Sequence, residues 1–296
     1  MSLFSRIPHI PTSDELADIV YSQLKKIRVN APPGSKIRRS ELSLLKTLYF
    51  RQFRYFFKEL QSRLRKIVNS FPIIDALHPF HRELIDILIG LDRLHISLSR
   101  INNTLDVLQS IQKSVSRKLG ICEKASEAKR IRNEALGRAG SCIKDLKEPL
   151  DDLIDIKIKL AQIPDFKLDA PTIAFAGPPN AGKSSFVSIV STGKPEIASY
   201  PFTTKGLFCG HRYHDFIQVQ FLDTPGLLDR PLDERNTIEL KGIIALKHIA
   251  DIIVFLFDPT PEASLPLERQ VNLQKEIKKI FPETPIISYI NKVDLI

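Results

Sequence analysis

The 296-residue chain carries 43 Lys+Arg against 34 Asp+Glu, a net charge of +9, with 43% hydrophobic and 26% charged residues. Those proportions exclude a wholly disordered, collagen-like or membrane-embedded chain, and the length allows one large or two moderate domains. Three cysteines (Cys122, Cys142, Cys209), none in a C-x-x-C pair, argue against a disulfide framework or a cysteine zinc site.

Charge is unevenly spread. Residues 1–170 hold 30 Lys+Arg and 20 Asp+Glu, whereas 171–296 hold 13 and 14, so the basicity, and with it any preference for a polyanion, belongs to the first half. No apolar run reaches the ~18–20 residues of a membrane helix, and MSLFSRIPHIPT at the N-terminus lacks the apolar core of a secretion signal.

In chain order, Ser13-Asp14-Glu15 reads as a helix start and Ala31-Pro32-Pro33-Gly34 as a break. From Lys36 to Asn69, Leu42, Leu45, Tyr49, Phe53, Phe56, Leu60, Leu64 and Ile67 step by three and four, which predicts an amphipathic helix. The same spacing from Leu84 to Val115 predicts one long helix with Gly90 tolerated inside it, followed by helices over 122–138 and 141–162. The first half is therefore expected to be an all-α, elongated helical bundle spanning 1–169.

Beyond Pro171 the texture changes. Apolar runs at Thr172–Ala176, Ile217–Asp223, Asp251–Asp258 and Pro285–Asn291 alternate with helix candidates opening at Gly182, near Asp233 and at Leu265. Such alternation predicts a doubly wound, mostly parallel α/β sheet over 170–296.

Three motifs lie on these elements. Gly177-Pro178-Pro179-Asn180-Ala181-Gly182-Lys183-Ser184, followed by Ser185, matches G-x-x-x-x-G-K-[ST] between a strand and a helix. Backbone N–H groups there can wrap a β-phosphate, Lys183 can neutralise β/γ oxygens, and the Ser184 hydroxyl can ligate Mg2+. Asp223-Thr224-Pro225-Gly226 ends a hydrophobic strand 40 residues beyond Lys183, where Asp223 can hold Mg2+ through water and the Gly226 N–H can face a γ-phosphate. Asn291-Lys292-Val293-Asp294 ends the last strand; an aspartate there accepts from guanine N1–H and its 2-amino group, a pattern adenine lacks. Between the first two motifs, Thr203 and Thr204 sit in a loop; Thr204 is the favoured partner of Mg2+ and the γ-phosphate. The set predicts a P-loop GTPase domain binding GTP or GDP, with Lys183, Thr204 and Gly226 serving catalysis.

The run Tyr200-Pro-Phe-Thr-Thr-Lys-Gly-Leu-Phe, then Asp223-Thr-Pro-Gly-Leu-Leu-Asp-Arg-Pro-Leu-Asp-Glu-Arg-Asn-Thr-Ile-Glu239, resembles the nucleolar GTP-binding protein 1 family, a branch of the Obg-like GTPases. Ala135-Leu136-Gly137-Arg138 fits as well. The resemblance implies a switch in assembly of the large ribosomal subunit, its N-terminal helices on ribosomal RNA. It also implies a cytoplasmic location, nucleolar in a eukaryotic cell, with an archaeal-type source favoured.

Two departures stand out. Leu227 takes the place of the glutamine of Ras-like enzymes, implying slow intrinsic hydrolysis; Asn180 either recruits K+, as in related GTPases, or only shapes the turn. The chain also stops two residues past Asp294, short of the base-packing loop, strand and helix expected of such a fold.

On the Lys36–Asn69 helix, Arg51, Arg54, Lys58 and Arg65 fall opposite the apolar stripe and are the candidate RNA contacts. Its aromatic cluster Tyr49, Phe50, Phe53, Tyr55, Phe56 and Phe57 could stack on bases but is assigned to core packing, since Tyr49, Phe53 and Phe56 lie on the apolar face. The His78/His81 and His211/His214 pairs are read as structural, and the acidic run from Asp145 to Asp155 as a solvated face. Two rivals stand beside this reading: a membrane-associated GTPase and a nucleotide-sensing scaffold with little hydrolysis.

Overall fold

The computed structural model describes residues 4, 6–24, 26–27, 41–163, 166–193, 196–198, 207–224, 228–229, 239–240, 243–244 and 246–296, with 196–198 described by backbone alone. The chain divides into a helical unit of residues 6–72 and 91–158 and a sheet unit of residues 1–5, 73–90 and 159–296.

In the helical unit, α1 (Ser13–Leu24), α2 (Glu41–Ser70), α4 (Leu91–Ile121), α5 (Ala125–Asp145) and most of α6 (Lys147–Leu160) bury the apolar stripes that the sequence spacing predicts. Phe56, Phe57, Leu60 and Leu64 of α2 are wholly inaccessible, and Phe56 packs on Tyr21 at 5.2 Å between ring centroids. The Tyr21 hydroxyl donates to the Leu136 carbonyl at 2.9 Å, which satisfies the one polar atom this contact buries. Burial pushes the Tyr21 phenol above its ordinary range.

Three expectations for the first half need correction, the first being the break between helices over 122–138 and 141–162: α5 runs unbroken through 139–140, and the break falls at Leu146 instead. The apolar spacing from Leu84 to Val115 does not make one helix: α3 (Pro79–Ile89) ends at Gly90, whose φ of +74° terminates it, and α4 begins at the next residue. Glycine adopts that left-handed conformation at little cost, and the preference outweighs an uninterrupted apolar pattern. The acidic run of α6 is not merely solvated. Asp152 and Asp155 hold Arg93 of α4, the latter at 2.8 Å, and Glu148 meets Arg100 at 2.5 Å. The hydrogen bonds that Arg93 donates to Asp152 and Asp155 raise its pKa further.

The sheet unit holds six strands in the order β2-β3-β4-β1-β5-β6. They are β1 (Thr172–Ala176), β2 (Glu196–Ala198), β3 (Leu207–His214), β4 (Ile217–Asp223), β5 (Ile252–Phe257) and β6 (Ile286–Ile290). β4, β1, β5 and β6 run parallel, and β2 and β3 add an antiparallel ribbon at one edge. Four strands lie at or within a residue of their expected bounds; β2 and β3 were not expected. The helix foreseen near Asp233 falls outside the described residues, apart from Glu239–Leu240.

β1 is central and buried, with Phe175, Phe221 and Leu256 packing under α7 (Lys183–Val190) through Ala181 and Val187. α8 (Leu267–Ile280) buries Gln270, Leu273 and Ile277. α3 belongs to this unit: His78 caps its start by accepting from the Phe80 N–H, and His81 is buried against Phe4 and Phe80, so both histidines are structural.

Candidate nucleotide site at the C-terminal end of the central strand

β1 lies between β4 and β5, with the chain crossing over it from β4 to β5, and the crevice beyond such a reversal is where open α/β sheets bind ligands. Gly177, at the end of β1, has φ +132°; a Cβ there would lie 2.4 Å from the Leu256 carbonyl oxygen. Only glycine fits. Gly182 has φ +94° and stands at the start of α7 with no side-chain cap, leaving the first backbone N–H groups of that helix available to an anion.

Between them, Pro178, Pro179, Asn180 and Ala181 form the loop; Asn180 is exposed in the left-handed region at φ +62°, and Ala181 is buried. Pro179 accepts from the Ser264 hydroxyl at 2.8 Å, which fastens the loop to the segment before α8. Pro179, Asn180, Gly182, Lys183, Ser184 and Ser185 line a cleft of 440 Å3, within the range of ligand sites. Phe208 and Asp229 complete it, and neither was singled out from the sequence.

Lys183 is only 6% exposed, and its ammonium donates to the carbonyls of Gly177 and Pro178, both at 2.8 Å. Burial lowers its pKa, with Asp229 and Asp223 opposing the shift. Asp223 has no accessible surface. Its Oδ2 accepts from the Ser184 hydroxyl, while Oδ1 has no hydrogen-bond partner among the described residues. Burial pushes this carboxyl above its usual range, against the Ser184 hydrogen bond and the Lys183 charge. A buried, unsatisfied carboxylate oxygen beside a serine hydroxyl is an oxygen donor set suited to a hard divalent cation such as Mg2+.

Asn291 reaches back into the loop: its Nδ2 donates to the Ala181 carbonyl at 2.9 Å, and its own N–H bonds to Phe257 at the end of β5. Lys292, with φ +58°, turns to Asp258 at 2.6 Å. Asp294 follows, exposed, in the short helical turn Val293–Leu295. The structure thus joins Asn291 to the phosphate loop and leaves Asp294 open to solvent. Thr203, Thr204 and Gly226, and Leu227 beside it, fall outside the described residues.

Asp258 is a further site-adjacent group that sequence spacing did not single out. Its burial raises the pKa, but hydrogen bonds from Lys292 and Thr260 outweigh burial and hold it below the ordinary carboxylate value. A depressed folded-state pKa contributes stability that is present above the unfolded value and lost as pH falls through the folded one. Melting temperatures of the wild type should therefore fall more steeply below about pH 4 than those of Asp258→Asn, as followed by circular dichroism.

The described residues contain no His/Cys/Asp/Glu group able to hold a metal ion by itself. Among them, no helix is long and apolar enough to cross a membrane.

Comparison with known proteins accords with these elements. The NOG1 N-terminal helical domain matches residues 4–167, and the nucleolar GTP-binding protein 1 (NOG1) family matches residues 237–294. The nucleolar GTP-binding protein 1 of Caenorhabditis elegans is 30% identical over 99% of this chain, which spans 42% of that relative's length. An uncharacterized protein of Methanocaldococcus jannaschii is 33% identical over 99% of this chain and 81% of its own. Among solved structures, a nucleolar GTP-binding protein 1 from Plasmodium falciparum is 40% identical over 45% of this chain and 65% of its own, with a TM-score of 0.40. A loop, a helix start and a guanine-type loop in this order, on a chain matched nearly end to end, have one consistent assignment: the chain belongs to the nucleolar GTP-binding protein 1 family.

Proposed function

We propose that the chain binds GTP and GDP with Mg2+, hydrolyses GTP slowly, and acts as a switch in assembly of the large ribosomal subunit, its helical unit contacting ribosomal RNA. The observation that carries the nucleotide reading is the pairing of buried Asp223, one oxygen unsatisfied, with Ser184 beside the buried Lys183 ammonium. Ser184 and Asp223 would hold Mg2+, which supplies charge neutralisation for the β- and γ-phosphates. The start of α7 presents N–H donors to the β-phosphate, and Lys183 exchanges its two carbonyl partners for phosphate oxygens. Thr204 and Gly226 close on the γ-phosphate, and Asp294 reads the guanine edge. Relatives named for the nucleolus and for GTP support this assignment.

The test is calorimetric titration of GTP, GDP and ATP with and without Mg2+, followed by single-turnover hydrolysis with and without large ribosomal subunits. Micromolar guanine nucleotide affinity that ATP does not share supports the reading; equal affinity for ATP overturns it. Acceleration by the subunit supports the assembly role, and its absence favours the scaffold reading.

Asn180 lines the cleft with its backbone in the left-handed region, and its two readings, as a K+ ligand or as a shaper of the turn, are separated by one measurement. GTP turnover is expected to be higher in K+ than in Na+ at equal ionic strength, measured by phosphate release; equal rates restrict Asn180 to shaping the turn.

For RNA, the supporting observation is that Arg51, Arg54, Lys58 and Arg65 are all exposed on α2, while Tyr49, Phe53, Phe56 and Phe57 of the same helix are buried. Replacing the four cations by Gln should lower the slope of log affinity against log salt by about 3, read by filter binding to ribosomal RNA. An unchanged slope would mark those side chains as solvent-facing only.

A further inference from the structure

Within the helical unit, α2 and α4 run antiparallel. Gln61 of α2 donates to Gln112 of α4 at 3.0 Å, and Lys46, fifteen residues earlier on α2, reaches the carbonyl of Gly120, eight residues later on α4. The seam between them opens into a groove of 430 Å3. Its floor is apolar, formed by the buried Phe53, Val115 and Leu119. Its wall is Phe50, 38% exposed and so, like Tyr55 and contrary to the core assignment of the whole cluster, outside the packed core that holds Tyr49, Phe53, Phe56 and Phe57. Arg51 and Arg54 stand on its rim, and among the described residues no carboxylate lines it.

The polar atoms are equally directed. Gln61 is buried and bonds the Gln112 carbonyl oxygen, which fixes that amide so that its NH2 group remains a donor at the groove. Ser116 adds a hydroxyl able to donate or accept.

An aromatic wall, an apolar floor, two edge-reading polar groups and two guanidiniums form the combination that single-stranded nucleic acids use: a base stacks and is read on its edge while the flanking phosphates are neutralised. We propose that the α2–α4 groove takes one unstacked base of single-stranded RNA, with Phe50 as the stacking face, Gln112 and Ser116 on the base edge, and Arg51 and Arg54 on the adjacent phosphates. This rests on the RNA reading of α2 and adds to it a site that takes a base rather than only phosphates. The charge on the rim argues for a polyanion, and the flat aromatic wall for an occupant with a planar ring. An acyl chain would use the floor but leave Gln112 and Ser116 without partners.

The experiment uses the full chain and fluorescence anisotropy with an oligouridylate of about ten nucleotides, compared with an abasic ribose-phosphate chain of equal length. Phe50→Ala and the groove-filling Ser116→Trp are each expected to weaken the uridylate about tenfold, leaving the salt slope and abasic binding unchanged. Arg51→Gln/Arg54→Gln should weaken both probes and lower the slope by about 1.4. Since position 116 is exposed, Ser116→Trp should keep the wild-type melting curve, and Phe50→Ala carries the test if it does not.

Equal affinity of the wild type for uridylate and abasic chain overturns the groove proposal, as does full affinity in both groove variants; either result leaves the RNA reading standing. If neither probe binds and the arginine variant changes nothing, the RNA reading itself fails. Loss of flotation with anionic phosphatidylserine vesicles in Ser116→Trp, with uridylate binding intact, reassigns the groove to lipid.

Discussion

Asp223→Asn is expected to make the nucleotide-free protein more stable while removing its Mg2+-dependent affinity for GTP. The carboxylate has no accessible surface, one oxygen lacks a hydrogen-bond partner among the described residues, and burial raises its pKa. An uncharged amide keeps an acceptor for the Ser184 hydroxyl and relieves the cost of a buried charge, a gain of about 1–2 kcal/mol. Lys183 opposes part of that gain, because Asp223 favours its charged form; but the Lys183 ammonium bonds the Gly177 and Pro178 carbonyls directly, so the burial cost of Asp223 wins.

The pH dependence follows from the direction of the shift. A raised folded-state pKa means that the folded wild type binds the proton more tightly than the unfolded chain. The advantage of the Asn variant is therefore full above the folded pKa and fades as pH falls towards the ordinary carboxylate value of 3.8. Denaturant midpoints across pH measure this, and titration of GTP with and without Mg2+ should show the cation's effect shrinking at least about tenfold. A variant less stable than wild type at neutral pH would mean that Asp223 is held mainly by its charge partners.

The second large effect is expected at Gly177→Ala. The new methyl would lie 2.4 Å from a backbone carbonyl of β5, in a conformation of φ +132° that alanine avoids. Strand β5 is paired on both sides and cannot retreat without disturbing β1 and β6. Backbone strain and overlap together should cost about 3–5 kcal/mol, seen as a lower urea midpoint with the nucleotide affinity lost. Gly182→Ala is the informative contrast. Its methyl would meet Asn291 Nδ2 at 2.3 Å, the far end of a side chain that can swing aside. It should cost less stability than Gly177→Ala but release Asn291 from Ala181, and so weaken guanine nucleotides more than it weakens the fold.

How much of this was readable in advance depended on whether the determining forces were local. β1 and β4 lie at their expected bounds because each is an apolar run closed by a residue that cannot continue it in kind: Gly177 after β1, and the site carboxylate Asp223 as the last residue of β4. The loop from Gly177 to Ser184 was legible as a tight strand-to-helix turn for the same reason, since its two glycines are demanded by backbone geometry within eight residues. β3 was not. Its outer half is polar and exposed, and it turns into β4 through Asp215 and Phe216, both at positive φ, where a sequence reader looks for Asn or Gly. The break at Gly90 was hidden by apolar spacing that continues across it. Phe208 reaches the cleft from β3, a strand the sequence did not reveal, and Asp258 meets the predicted Lys292 from 34 residues away, so no spacing rule could pair them.

The bond from Asn291 to Ala181 has a consequence for how ligand fragments add up. If the proposed assignment holds, it ties the loop that would meet the base to the loop that would meet the phosphates, so each half of a nucleotide should pre-order the pocket for the other. Guanosine and pyrophosphate presented separately should each bind far more weakly than their joined free energies suggest. Asn291→Ala would make the two contributions more nearly independent, turning one cooperative receptor into two adjoining ones.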